Sequence, residues 1–570
     1  MGKRYRNFNV AVYCPVHDVL QFAKNQEAFI EQFKCLHKHV QIGKVYLENF
    51  RGDVWCEKDD LLQMKSYFEE QGIAVSGGIT TCAGGQNEGY VSLCYSDEED
   101  RQKVEKAIRM LAQCFDEIIL DDFFFTNCRC PKCIAQKGVR SWSAFRKEQM
   151  VEVANELVLH VAKEENPSVN VIIKYPQWYE VYQETGYDLE TESELFDFIY
   201  TGTETRNPDY AQQHLPKYLS YFIMTYLESA APGRNLGGWF DPYECTYNLT
   251  SYLEQGYLTL FARAKEITIF CMGTLVLDQR YSVFAASLEQ MFIEMDAYLD
   301  QLGNTVGIAS YRPNAARGED NIHSYLGMCG IPLIGTMQYP EDEKVVFLAA
   351  GAAEDKEIIA KMKKSLMAGA DVICTSGFLQ KINEAFIQEF VNVSYSTRKA
   401  FVKDYAITKD NGLSVSGNYV GREAVLIPQL DYCTNDIWEL AAAYGQGMNY
   451  PIVLRCSYGM GRISVITIPD NMGDLYCYPT QVLDAIRGLF DKKISVRLDA
   501  PAGIMLFLYD NDCLVVRSDL SYFESCVIEV GKDCKSVHNL STGKEIPVEN
   551  GKVMLQLMPG VNVVLKRIMK

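Results

Sequence analysis

Basic runs, histidine clusters and long apolar stretches are what this 570-residue chain lacks, with only 7 histidines and a formal net charge of -19. Lysine and arginine are dispersed, so the acidic surface would repel a phosphate backbone and nucleic acid is excluded as a partner. No uninterrupted apolar run approaches the length that crosses a bilayer. The opening MGKRYRNFNVAVYC has neither a signal peptide's apolar core nor its small-residue cleavage site, and Arg6 stands where a myristoylation signal wants Ser or Thr. A cytoplasmic protein without membrane attachment is the expectation. The 19 cysteines are an odd number without an export signal, which argues for reduced thiols over a disulfide framework.

What is present is ordinary globular material, 48% hydrophobic and 23% charged, enough to build cores in a chain too long for one of them. Up to about residue 275, short β-branched or apolar runs recur between segments of helical periodicity. They are FNVAVYC (8–14), KVYLENF (44–50), IAVSGGITT (73–81), EIILDDFFF (117–125), VNVIIKYP (169–176), FDFIYTGTE (196–204), LGGWFDPYE (236–244) and EITIFCMGTL (266–275). Eight strands alternating with helices predict a closed (β/α)8 barrel over residues 1–302. From 303 to 494, buried strands such as VVFLAAG and ADVICTSGF alternate with helices and predict a smaller open, flavodoxin-like α/β domain. From 495 to 570, IMLFLYDNDCLVVRSDL and its successors alternate strands with Asp/Asn/Gly turns, as in a small antiparallel β-sandwich.

Active sites of such barrels lie at the C-terminal strand ends, and acids collect there: Glu48 after the second strand, Asp121 and Asp122 at the fourth, Glu204 at the sixth, Asp241 and Glu244 at the seventh. A single loop carboxylate usually caps a helix or pairs with a base. Several on one rim repel one another unless a cation or a reaction needs them. Aromatic residues accompany them: Tyr175 and Trp178 after the fifth strand, Trp239 and Tyr243 around the seventh, and Phe123 to Phe125 after the fourth. Core packing explains part of this set. Rings that stack on sugar faces beside carboxylates that take hydroxyls suit a small carbohydrate.

Cleaving a glycosidic bond takes a protonated acid at the leaving oxygen and a second carboxylate across the ring. Asp121 and Asp122 are adjacent, and their side chains diverge; Asp122 is the acid/base candidate and Asp121 its support. The second carboxylate comes from another strand, with Asp241, Glu204 and Glu244 as alternatives. Glu204 lies in YTGTETR, where Arg206 could hold it ionised. Glu48, Tyr175, Trp178, Arg206 and Trp239 are the candidate substrate-binding residues.

Cys128-x-Cys130-x-x-Cys133 places three thiolates within reach of one tetrahedral zinc, and Cys82, in TTCAGGQ after the third strand, is the expected fourth ligand. Redox chemistry or simple burial is the alternative. The metal is expected to be structural, with no organic cofactor.

A strand-four acid followed within ten residues by C-x-C-x-x-C and then by WSAFR (142–146), with a further cysteine after the third strand, resembles the family 42 β-galactosidases. That resemblance implies a flavodoxin-like trimerisation domain and a small β-domain behind the barrel, a homotrimer, and structural zinc on Cys82, Cys128, Cys130 and Cys133. It puts the acid/base on Asp122 and the nucleophile on Asp241 or Glu244. The family has an Asn-Glu pair where this chain has Asp121-Asp122, one methylene shorter. The reading is a retaining, exo-acting glycoside hydrolase. A catalytically silent sugar-binding barrel is the alternative, as is a metal-dependent hydrolase, although His17 is the only histidine near a strand end and such sites draw on two or three.

Overall fold

The computed structural model describes residues 5–84, 91–409 and 414–570, which fall into two compact units, residues 1–300 and 301–570. In the first, the eight runs become β1 (Asn9–Cys14), β2 (Lys44–Arg51), β3 (Ala74–Thr80), β4 (Glu117–Leu120), β5 (Asn170–Tyr175), β6 (Phe198–Gly202), β7 (Asn235–Phe240) and β8 (Glu266–Ile269). Each pairs in parallel with the next, and β1 closes the ring against β8 through Asn9↔Glu266 to Val12↔Ile269. The (β/α)8 barrel is therefore complete. A two-residue arm, Val54–Trp55, folds back antiparallel on the end of β2.

Strand residues alternate between the helix layer and the barrel axis, so the axis is filled by every second residue. Ala11, Tyr13, Tyr46, Ile119, Ile172, Tyr200 and Trp239 form this inner cluster. Its lower edge is polar: Tyr46 donates to Glu266 at 2.7 Å, and Tyr200 shares a 2.7 Å bond with Thr268. Two positions further along the strands the same inward face carries Glu48, Asp121, Lys174 and Asp241. Packing and site thus share one alternation.

Glycine makes room where the inner layer is tight. A Cβ on Gly78 would stand 2.8 Å from the Tyr13 ring, and one on Gly237 would stand 2.0 Å from the Glu266 carbonyl oxygen. The second clash is with backbone, which cannot swing aside.

In the second unit one sheet runs in the order Leu333–Thr336, Ile308–Tyr311, Val345–Leu348, Asp371–Thr375, Gly461–Ile466, all parallel. This is the flavodoxin-like order. Four antiparallel strands then extend it: Met448–Tyr458, Trp438–Gly445, Val393–Lys409 and Ser414–Tyr432. Residues 497–569 build two antiparallel sheets of five and three strands, and Thr305–Val306 joins the larger as its sixth strand. A barrel, a flavodoxin-like sheet and antiparallel C-terminal sheets are all present. The long antiparallel extension was not foreseen.

Replacing Gly237 with Ala is expected to destabilise the first unit by about 1–3 kcal/mol or more, since backbone has to shift to admit the methyl. Thermal unfolding should register a lower midpoint; an unchanged midpoint would show that β7 and β8 tolerate wider spacing than their register implies.

Candidate active site

At the C-terminal rim of the barrel opens a cavity of about 530 Å³. Asp121, Asp122, Lys174, Glu204, Arg206, Asp241 and Glu244 line it, with Trp178, Trp239, Tyr243 and Phe270 among its aromatic walls. The acids come from the ends of β4, β6 and β7, as their sequence positions implied, but three cations stand among them.

Lys174, inward-facing on β5, is 2% exposed by side chain and has carboxylates on three sides. Its Nζ donates to Asp122 Oδ2 at 2.9 Å and to Glu204 Oε1 at 2.8 Å, and lies 3.4 Å from Asp121 Oδ1. It also sits 4.3 Å over the Trp239 ring. The two carboxylate oxygens it bridges can be no farther apart than the sum of its two short bonds, under about 6 Å. Burial pushes the Asp122 carboxyl up to about 7; Lys174 opposes that, and the charges of Asp121 and Glu204 add to it. Asp121 goes the other way: burial raises it, but Lys174, Arg51 and the backbone N–H of Asp122 hold it below the usual carboxylate range. Burial also raises Glu204, against Lys174. Neighbouring aspartates are thus set apart, one ionised and one ready to carry a proton.

Arg51, at the end of β2, joins Glu48 to Asp121: it donates to Glu48 Oε1 at 2.9 Å and to Asp121 Oδ2 at 3.1 Å. Glu48 is fully buried and also accepts from Tyr13 Oη and the Val16 N–H, both at 2.8 Å. It is not among the residues that line the cavity and instead braces Arg51. Arg206 makes a two-pronged pair with Asp241 at 3.0 and 2.8 Å and reaches Glu244 at 3.3 Å. The hydrogen bond that fixes Glu204 comes from Lys174 rather than from Arg206, whose charge still helps to keep Glu204 ionised. Arg206 and Glu244 both have φ of 57°, a left-handed conformation that non-glycine residues rarely adopt and that clusters at functional sites.

Among the aromatic candidates, Trp178 lines the cavity and meets Phe125 edge-on at 6.2 Å. Trp239 also lines it, but its ring is covered by Lys174 and by Tyr13 at 4.7 Å. Tyr175 lies behind the wall, packed against Tyr182 and Tyr187, with its hydroxyl 3.5 Å from Glu192. Lys174 and Arg51 were missed. The one signal for Lys174 is a lysine inside the apolar run VIIKY.

The cysteines gather beside this site. Sγ atoms of Cys94, Cys128, Cys130 and Cys133 all lie within 4.8 Å of one another, with Cys94 3.6 Å from Cys130 and 3.5 Å from Cys133. Four thiolates around a zinc at about 2.3 Å stand roughly 3.8 Å apart, so the set fits a tetrahedral thiophilic ion. A hydrogen bond from the Cys133 backbone N–H draws the Cys130 thiol down to about 7, whereas burial pushes the Cys133 thiol up to about 11 and raises that of Cys94 as well. Cys82, the expected fourth ligand, is not in the set. Its segment bridges antiparallel to Ser92, with Ala83 N–H bonded to the Val91 carbonyl, and that return brings Cys94 to the cluster instead.

A closed parallel barrel with opposed carboxylates over an aromatic cavity at its C-terminal rim is the architecture of the barrel glycosidases. Sequence comparison agrees: a family described as "Probable glycosyl hydrolase, catalytic domain" matches residues 1–306, and the chain belongs to it. The second domain of the uncharacterized protein SSO3021 matches residues 303–471, and a "Probable glycosyl hydrolase, C-terminal domain" matches 495–563. SSO3021 itself, from Saccharolobus solfataricus, is 23% identical over 97% of this chain and 98% of its own. Among solved structures, a β-galactosidase from Bacillus circulans sp. alkalophilus aligns over 99% of both chains at 12% identity with a TM-score of 0.68. An α-L-fucosidase isoenzyme 2 from Paenibacillus thiaminolyticus aligns over 100% of both at 13% identity and 0.67. At such identities these two share the fold.

Arg51→Met should leave Glu48 buried without its cation and cost about 3–5 kcal/mol of stability, whereas adding Glu48→Gln should restore part of that loss. Chemical unfolding of the two single variants and the double variant measures the coupling. Additive losses would mean the pair is not one unit.

Proposed function

We propose that the protein is a retaining, exo-acting glycoside hydrolase in which Asp122 is the acid/base and Glu204 the nucleophile. The observation that carries this reading is the separation set by Lys174. Carboxylates of retaining enzymes stand about 5–5.5 Å apart and those of inverting enzymes about 6.5–9.5 Å, and one ammonium bonded to both Asp122 and Glu204 keeps their nearest oxygens within about 6 Å, which supports the closer spacing. Asp122, raised to about 7, holds a proton near neutrality and can deliver it to the departing oxygen. Glu204 Oε2, Gln177 Oε1 and the Trp178 indole N–H are buried without a protein partner, which supports a ligand rich in hydroxyls. The size of the cavity suits one or two sugar rings, hence exo action. Asp241, locked by Arg206, is assigned to substrate orientation, although the family 42 resemblance would place the nucleophile on Asp241 or Glu244.

Aryl glycosides test this, with β-galactosides and α-L-fucosides in the panel because the two structural neighbours named above carry those activities in their names. Asp122→Asn should lower kcat/KM by about 10²–10⁴-fold for poor leaving groups and far less for activated ones. Glu204→Ala should be inactive but recover with azide, giving a glycosyl azide; recovery of Asp241→Ala in its place would move the nucleophile to Asp241. Binding without turnover across the panel would favour the sugar-binding alternative. Since Asp122 acts protonated, kcat/KM should fall as pH rises through about 7, and that limb should vanish in Asp122→Asn.

The thiolate cluster is read as a structural zinc site holding the loop after β4. Metal analysis should find about one zinc per chain, lost in Cys94→Ser and kept in Cys82→Ser; the reverse pattern would reinstate Cys82 as ligand. Phe401, Val420 and Met448, exposed on the antiparallel extension, support a homo-oligomer, with a trimer as the specific form proposed.

A further inference from the structure

Lys174 occupies a position that an ordinary structural ion pair would not need. An ammonium has three protons to give, and here three carboxylates surround it: Asp121 and Asp122 from the end of β4, and Glu204 from beyond β6. The other charged groups nearby are engaged elsewhere. Asp121 also takes Arg51, Asp241 is held by Arg206, and the Tyr187 hydroxyl donates to the backbone carbonyl of Asp122 and not to its carboxylate. Lys174 is therefore the cation that the described residues place on both Asp122 and Glu204. Its bonds to the two are nearly equal, 2.9 and 2.8 Å, and the ring of Trp239 covers another side of it.

We propose that Lys174 is a positioning residue whose ammonium serves as the shared counter-ion for the one unit of negative charge that alternates between Glu204 and Asp122 during turnover. This rests on the assignment of those two residues given above. In the first step a Glu204 oxygen bonds to the anomeric carbon, the bond to the leaving oxygen breaks, and the Asp122 proton moves to that oxygen. Glu204 loses its charge by becoming an ester as Asp122 gains one. In the second step water attacks the anomeric carbon, its proton goes to Asp122, and the bond to Glu204 breaks. The charge returns. At every stage one of the two exchanging partners is ionised and the other neutral, so the ammonium keeps the same total of negative charge around it and neither state leaves a buried charge unmatched. Asp121, kept ionised by Arg51 as well, does not take part and anchors the lysine from the third side.

The test reads ionisation directly in the full-length protein. The difference between infrared spectra of wild type and Asp122→Asn isolates the protonated carboxyl band of Asp122, and the same difference is taken in a Lys174→Met background. Loss of a cation at hydrogen-bond distance should move the Asp122 titration about one to three pH units higher. The alkaline limb of the kcat/KM profile should move with it, and kcat should fall for activated and poor leaving groups alike, because both steps lose their counter-charge. Lys174→Arg, which keeps the charge, should return the titration towards the wild-type position, and Lys174→Gln supplies the neutral side chain if Lys174→Met does not fold. An active enzyme whose Asp122 titrates at the same pH with and without the lysine charge overturns this proposal alone. A wild-type protein inert on every glycoside overturns the functional reading and this one together.

Discussion

Three like charges cannot share the mouth of a barrel without a counter-ion, and the buried ammonium of Lys174 is the constraint on which the site's arrangement depends. Its contacts with Asp121, Asp122 and Glu204 pull the ends of β4 and β6 towards β5. Arg51 and Arg206 repeat the device on either side, the first joining β2 to β4 and the second joining the loops after β6 and β7. Arg51 and Lys174 share Asp121, so these two cations and their acids form one connected network, beside which Arg206 holds Asp241 and Glu244. In such a network the loss of one member exposes the rest, which is why single substitutions should cost more than the pairs they break.

Where the charges sit follows from the alternation of the strands. The residue two places after an inward core residue is again inward, so Ile119 leads to Asp121, Ile172 to Lys174, Tyr46 to Glu48 and Trp239 to Asp241. The aromatic core below and the polar layer above are two levels of one pattern. Asp122 escapes it by lying just past the end of β4, on the turn, where its side chain can approach Lys174 from another direction. This difference of one position separates a firmly ionised aspartate from one whose carboxyl is raised to about 7.

Much of this was legible in the sequence. Eight apolar runs between helical segments specify the closed barrel, and acids at four run ends mark its active rim. The cations were not legible. Strands of a parallel barrel are buried on both faces, so a run such as VIIKY does not say which alternate residues face the axis. Lys174 was therefore indistinguishable from a lysine snorkelling out between helices. Arg206 was assigned to its sequence neighbour Glu204 because nearness in the chain was the available guide. In the structure its hydrogen bonds go to Asp241 and Glu244, and only its charge reaches Glu204. The antiparallel extension of the second unit escaped for a related reason: its strands mix exposed polar and apolar residues without a clean alternation.

The cysteines show the same limit from the other side. C-x-C-x-x-C is local, and local spacing identified three of the four clustered thiols. The fourth is set by how the loop after β3 returns, and the antiparallel bridge between Cys82 and Ser92 carries the chain back so that Cys94 arrives beside Cys130 and Cys133. Helix Glu98–Cys114 begins four residues later, with Asp97 capping it and Asp100 accepting from the Cys94 N–H at 2.8 Å. The position of Cys94 is thus tied to the start of a barrel helix. Cys128, Cys130 and Cys133 are tied by their own loop to the end of β4. An ion held by all four would fasten the helix between β3 and β4 to the loop that leaves Asp122, and so would stiffen the surroundings of that carboxyl.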